Sequence, residues 1–358
     1  MSLKSRESGN KKLKFKILIP CLLVGCFAIM ILLVFIRYQN AIFSPNVDTG
    51  NAQEAELYIP SNPTFDEVLE ILKFSGYIID IEQFIWVSER KNYPPNVKGG
   101  RYIIKNKMSN NELINMLRGG YQTPVNVTFN NIRTFEELAG NISKRLEPDS
   151  VQLLQVFINE DIIEKYGFNK NTFISMFIPN TYQMYWNTPP EEFISRMKRE
   201  YEIFWNDSRI EKAEKTGLTP LEVSILASIL EEETTKNDEK PRVAGLYINR
   251  LRKGIKLQSD PTVKFALRDF SINRILIQDL KINSPYNTYI HEGLPPGPLR
   301  MSSIQSIDAV LNYEKNDYIF MCAKEDFSGY HNFAKTLEQH NRNAAKYHQA
   351  LKKSKIYR

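Results

Sequence analysis

Ala227-Ser-Ile-Leu-Glu-Glu-Glu-Thr234 carries three consecutive acids before its last residue, and it closes a helix that starts behind Thr219-Pro220. An α-helix turns about 100° per residue, so Ser224, Ala227, Ser228 and Glu231 fall on one face. Val223, Ile225, Leu226, Ile229 and Leu230 cover the other side, the stripe expected against a core. On this reading Glu231 overlooks a shallow floor of small residues, open to a bulky ligand. Glu233 lies about 160° further round and cannot share that floor while the helix continues. The unpaired carbonyls of a helix C-terminus disfavour nearby negative charge and bias a carboxyl toward keeping its proton. A general acid needs that bias, so Glu231 is the candidate catalytic residue.

Outward from this helix, the C-terminal pattern is mixed. Thr219-Pro220 reads as N-cap and first helical residue. A second helix is expected from Pro241 to about Lys253, with Val243, Leu246, Tyr247 and Leu251 inward and Gly254 as terminator. Asp260-Pro261 starts a third by the same cap-and-proline logic. A proline- and glycine-rich loop follows, from Asn283 to Pro298. Loops stiffened in this way usually shape a site. Strands near 318–323 and 331–334 form an apparent hairpin turning through Asp326 to Gly329, and a helix follows from about Thr336.

Toward the N-terminus, residues 57–126 read as a small module: strand, helix, helix, strand, helix. Thr64 and Ser109 sit where helix caps belong. Residues 127–217 open with the alternating strand Val125-Asn-Val-Thr-Phe129 and continue in helices at about 134–145, 149–158 and 190–205. The aromatic-dense run from Met176 to Trp186 suits sugar rings, but it reads more simply as core. The fold class expected is α+β, with the larger α+β catalytic domain over 218–358 and 127–217 as its intermediate region.

Before the module the chain changes character. Residues 1–16 form a basic tail with six cations and one acid, which accounts for five of the six net positive charges. The rest is nearly neutral, so no nucleic-acid-binding face is expected. Ile17 to Ile36 is apolar and uncharged, about the length that spans a bilayer. The preceding cations place the N-terminus in the cytoplasm and the remainder outside. A cleaved signal would have a shorter apolar core and a small-residue site, which Arg37-Tyr38-Gln39-Asn40 does not provide. Residues 17–36 are therefore read as an uncleaved single-pass helix in a bacterial cytoplasmic (inner) membrane. Residues 37–56, polar and aperiodic, read as a linker.

Cys322 is alone beyond the anchor, so the exported part must hold together through its own core. His291, His331, His340 and His348 show no metal-ligand spacing, and no phosphate-cradling loop or nucleophile elbow is present. Neither metal nor cofactor is expected. What remains is carboxylate chemistry beside the wall glycan.

Several blocks resemble one family, the MltG (YceG-like) endolytic murein transglycosylases. They are Ala227–Thr234, Asn249-Arg-Leu251, Leu257-Gln-Ser-Asp-Pro-Thr-Val263, Ser284-Pro-Tyr-Asn-Thr-Tyr289 and Gly293-Leu-Pro-Pro-Gly297, with His331, Phe333 and His340-Asn341 behind them. Two departures stand out: Asn180 where many members carry aspartate, and Pro-Leu-Arg-Met-Ser-Ser303 after Gly297. The resemblance implies a LysM-like small module and cleavage of the MurNAc-β-1,4-GlcNAc bond in nascent strands. Such cleavage leaves 1,6-anhydro-MurNAc ends. It puts the catalytic glutamate at Glu231 and a penicillin-binding glycan synthase among the partners. Gln258, Asp260, Tyr286, Asn287, Thr288 and His331 are the candidate glycan contacts. Two other functions compete: a muramidase using Asp260 as second carboxylate, and a non-catalytic membrane-tethered glycan-binding protein. A pyridoxal-phosphate lyase, a further label attached to the family, conflicts with export and with the missing phosphate cup.

Overall fold

The computed structural model describes residues 4–272 and 275–354. The chain is mixed α+β, mostly helical, with small two-stranded sheets, and it folds as two compact units. One unit comprises Met1–Pro124 with Tyr185–Asn187; the other comprises Val125–Met184 and Thr188–Arg358.

In the first unit, strands Glu54–Ile59 and Gly100–Lys105 pair antiparallel, Leu57 opposite Tyr102. Alternation sends Leu57, Ile59, Tyr102 and Ile104 into a core with Val68, Leu72, Phe84 and Leu113. Thr64 and Ser109 each close a capping box, with Glu67 and Glu112, at the heads of helices Phe65–Ser75 and Asn110–Gly119. Asp80 caps helix Ile81–Arg90. The N-terminal helix runs Lys4–Phe43, and its segment Cys21–Phe43 is long and apolar enough to cross a membrane, with none of it buried. Length and composition alone suit an anchor and a signal sequence equally.

The expected linker over 37–56 is corrected here. Residues up to Phe43 continue the helix, and Pro45 and Val47 form isolated bridges to Ser109 and Ile78. The Asn46 side chain explains the change: it donates to Asn110 Oδ1 at 2.8 Å and accepts from the Asp80 amide at 2.8 Å. Composition showed a polar stretch; the buried amide network that orders it involves residues 34 and 64 positions away.

The second unit holds two cores. Strands Val125–Phe129 and Asn180–Met184 pair antiparallel, and helices Phe135–Ile142, Ser150–Phe157 and Pro190–Phe204 contribute to a cluster rich in phenylalanine. Phe129, Phe157, Phe173, Phe177 and Phe193 are all buried there. Met176, Phe177 and Tyr182 from the aromatic run are buried in this cluster. Helices Asp207–Thr216, Pro220–Glu233, Lys240–Arg252 and Ile304–Leu311 build the other core. Beside it lie hairpin strands Phe320–Ala323 and His331–Ala334, which pair antiparallel, and helix Leu337–Lys353 packs on them. The stretches 127–217 and 218–358 thus share one compact unit.

Gly297, from the stiff loop, shows why that loop needs a glycine. A Cβ there would lie 2.1 Å from the Asn171 carbonyl oxygen and 3.0 Å from the Tyr286 hydroxyl. Gly297→Ala is expected to cost about 1–3 kcal/mol of stability through forced displacement, read as a lower urea midpoint with unchanged slope.

Candidate active site

The acid-bearing helix, Pro220–Glu233, begins as expected. Thr219 caps it, closes a box with Glu222, and is followed by proline. Its small-residue face differs from the expectation of an open floor. Ser224, Ala227 and Ser228 are buried, because the segment 299–303 lies over them. Ser228 Oγ accepts from the Leu299 amide at 2.9 Å, and Ser302 Oγ donates to the Ser224 carbonyl at 2.7 Å. Small side chains let another stretch of backbone come close, and here the protein itself uses that space.

The three acids consequently have three environments. Glu231 Oε2 accepts from Ser303 Oγ at 2.6 Å, from Ser306 Oγ, and from Lys240 Nζ at 3.3 Å. Burial pushes this carboxyl up, but the two hydroxyls and the Lys240 ammonium outweigh it and hold it below the usual range. The bias expected from the helix terminus is therefore reversed: specific donors at contact distance exceed the partial charge of a helix end. Glu232 Oε1 accepts from Arg133 at 2.7 Å and from Arg300.

Glu233 is different. The residue is partly exposed but its carboxyl is buried, and its Oε1 accepts from Tyr247 Oη at 2.6 Å and from Ser259 Oγ. Burial raises it above the usual range, Asp260 adds to the rise, and the Ser259 and Tyr247 hydroxyls and His331 only partly offset this. Of Glu231 and Glu233, it is Glu233 whose surroundings favour the protonated form.

Around Glu233 the sequence candidates sort by burial. Asp260 is the first residue of helix Asp260–Leu267, not its cap; Ser259 holds the cap position without a side-chain cap bond. Ser259 is instead turned to Glu233, while the exposed Asp260 accepts from Tyr289 Oη at 2.6 Å. Gln258 is exposed at a left-handed φ of 52°, its amide donating to the Thr288 carbonyl at 3.1 Å. Asn287 and Thr288 are buried. Asn287 Nδ2 donates to the Leu280 and Ile282 carbonyls at 3.0 and 2.9 Å. Thr288 Oγ1 accepts from the Ser259 amide at 3.0 Å and pairs with Thr262. Thr288 thus holds the segment that carries Ser259, and Asn287 holds its own loop. Tyr286 packs its ring 4.6 Å from that of Phe265. His331, first in its strand, is held to buried Glu239 by its amide and its Nδ1, both at 2.8 Å.

Sequence reasoning passed over Glu233, Tyr247, Ser259, Tyr289 and Glu239. Tyr247 was read correctly as inward, but periodicity cannot show that its hydroxyl ends on a carboxylate. A serine directly before Asp-Pro was the available sign that Asp260 is not the cap.

In the larger, mostly helical α+β unit, a carboxyl held between two hydroxyls defines a carboxylate-bearing site. Residues 57–346 match the YceG-like family, and the chain belongs to it. It is similar to an endolytic murein transglycosylase of Bacillus subtilis, 28% identical over 330 residues that cover 87% of this chain and 89% of that protein. A protein of the same name from Streptococcus pneumoniae is 24% identical across 84% of this chain, which spans 60% of that longer protein. A crystal structure of a YceG-like protein from Listeria monocytogenes superposes with a TM-score of 0.53 at 25% identity, covering 81% of this chain and 98% of that one.

Proposed function

We propose that this chain is a membrane-anchored endolytic peptidoglycan lytic transglycosylase in which Glu233 moves the proton. The observation that carries the reading is the Glu233 carboxyl, raised by burial and lodged between Tyr247 and Ser259, in a chain whose relatives bear that name. Protonated Glu233 donates to the O4 leaving oxygen as the bond from muramic acid C1 breaks. The carboxylate then takes the proton from the C6 hydroxyl of the same sugar while O6 bonds to C1. One proton passes through one carboxyl, no water is consumed, and a 1,6-anhydro end results. Cleavage inside nascent strands would end their elongation, beside a penicillin-binding synthase on the outer face of the cytoplasmic membrane. Residues 57–126 serve as a LysM-like module in this proposal.

The same reaction through Glu231, expected from the helix wheel, meets a carboxyl whose donors favour its charged form. In this proposal Glu231 positions the helix end. Gln258, Asp260, Tyr286 and His331 remain candidate glycan contacts, and Asn287 and Thr288 hold the loop.

A muramidase is the second reading, favoured by the exposed carboxylate of Asp260 beside Glu233. Incubating the full chain with uncrosslinked glycan and weighing the products separates the two. Anhydro ends, lighter by one water, are expected; reducing ends alone would establish the hydrolase.

A further inference from the structure

The crevice where the N-terminal helix meets helix Ile81–Arg90 encloses about 740 Å³ and takes part in none of the chemistry above. One wall is apolar, with Leu33, Val34 and Ile36 from the end of the spanning segment. Arg37 and Asn40 follow one turn on, and Asp80, Glu82 and Gln83 face them from the module. The walls are fixed, because Asn110 Nδ2 donates to the Ala41 carbonyl at 2.9 Å and Asn46 bridges Asn110 and Asp80. Tyr38 and Trp86, which also line it, meet edge to face at 5.4 Å between centroids. Paired tyrosine and tryptophan at the end of an apolar span mark the depth of lipid headgroups.

We propose that this crevice binds a phospholipid whose headgroup carries both a phosphate and a primary ammonium, as in phosphatidylethanolamine; the inference rests on the anchored reading of the N-terminal helix. Charge selects that occupant. Arg37 and Glu82 line the crevice with opposite charge, while the Asp80 carboxylate is taken up by the backbone amide and side chain of Gln83. A lone phosphate would meet the Glu82 carboxylate, and a lone cation the Arg37 guanidinium. A zwitterion answers each sign, and only an ammonium with N–H bonds can donate to the Glu82 carboxylate. The acyl chains then lie along Leu33 and Val34, in the hydrocarbon.

The test uses the full chain in vesicles, with Trp186→Phe and Trp205→Phe introduced so that Trp86 alone emits. Lipids brominated near the carbonyl are compared at equal mole fraction with ethanolamine, glycerol or choline heads. The ethanolamine lipid is expected to half-quench Trp86 at about tenfold lower mole fraction, the worth of one charge-assisted hydrogen bond. Glu82→Lys is expected to abolish that preference. On the unsubstituted chain, phosphatidylethanolamine retained through detergent exchange and seen by native mass spectrometry reports the same preference. Equal quenching by all three lipids, or a preference unchanged in Glu82→Lys, overturns the site but leaves the anchor standing. Failure of the chain to float with vesicles of any composition overturns both.

Discussion

Replacing Glu233 by glutamine is expected to slow formation of anhydro-muramyl ends by about 10³-fold, the scale of a positioned proton donor. Glutamine keeps an acceptor oxygen for Tyr247 and Ser259, so the fold has no hydrogen bond to lose there. Stability should move the other way. The folded chain holds the Glu233 proton more tightly than the unfolded chain, because burial raises that carboxyl. That contribution favours the fold below the ordinary carboxylate range and is lost as pH climbs through the raised folded value. Above that raised value the wild-type chain carries a poorly solvated charge that Glu233→Gln removes. Thermal melts should show the variant gaining on wild type as pH rises through that titration, with the gap closing in acid. Wild-type activity should fall as pH rises through the same titration. A Glu233→Gln enzyme that makes anhydro ends at the normal rate would falsify the assignment.

The second large effect is on stability and falls on Glu231. Glu231→Ala leaves the Lys240 ammonium, 4% exposed, without its carboxylate, and strips Ser303 and Ser306 of their shared acceptor. Breaking a buried ion pair costs about 3–5 kcal/mol; since 23% of the Glu231 side chain meets solvent, about 2–3 kcal/mol is expected. The pH dependence is opposite to that of Glu233. Its folded carboxyl is held low, so its contribution is present above the ordinary carboxylate range and is lost as pH falls through the lowered value. Urea unfolding at pH 7 and pH 3 should show the wild-type advantage shrinking in acid. Adding Lys240→Met to Glu231→Ala should recover most of the loss, since no unpaired charge then remains buried. If Glu231→Ala folds with wild-type stability yet yields no anhydro ends, the proton belongs to Glu231, and the two carboxyls exchange roles.

These outcomes bear on the same triplet that a helical wheel reads differently. The wheel placed Ser224, Ala227, Ser228 and Glu231 together correctly, since angle depends only on spacing. It could not show that the chain from Leu299 to Ser303 returns to cover that face, some 70 residues later. The apolar stripe was likewise incomplete: all residues from Val223 to Leu230 are buried, on both sides of the helix. Asp260 passed for a cap because Asp-Pro and Ser-Asp-Pro differ only in which residue takes extended φ and ψ.

From the bare chain alone came the apolar N-terminal stretch, the module's order of strands and helices, the capping positions at Thr64, Ser109 and Thr219, and the C-terminal hairpin. All of these arise between residues a few positions apart, where propensity, hydrophobic period and capping act directly. Tertiary structure alone decided which of Glu231 and Glu233 is pushed toward holding its proton, which loop residues are spent on the loop, and that the expected linker is part of a folded unit. Each of those depends on desolvation and on donors supplied from distant parts of the chain, and neither quantity is written in local order.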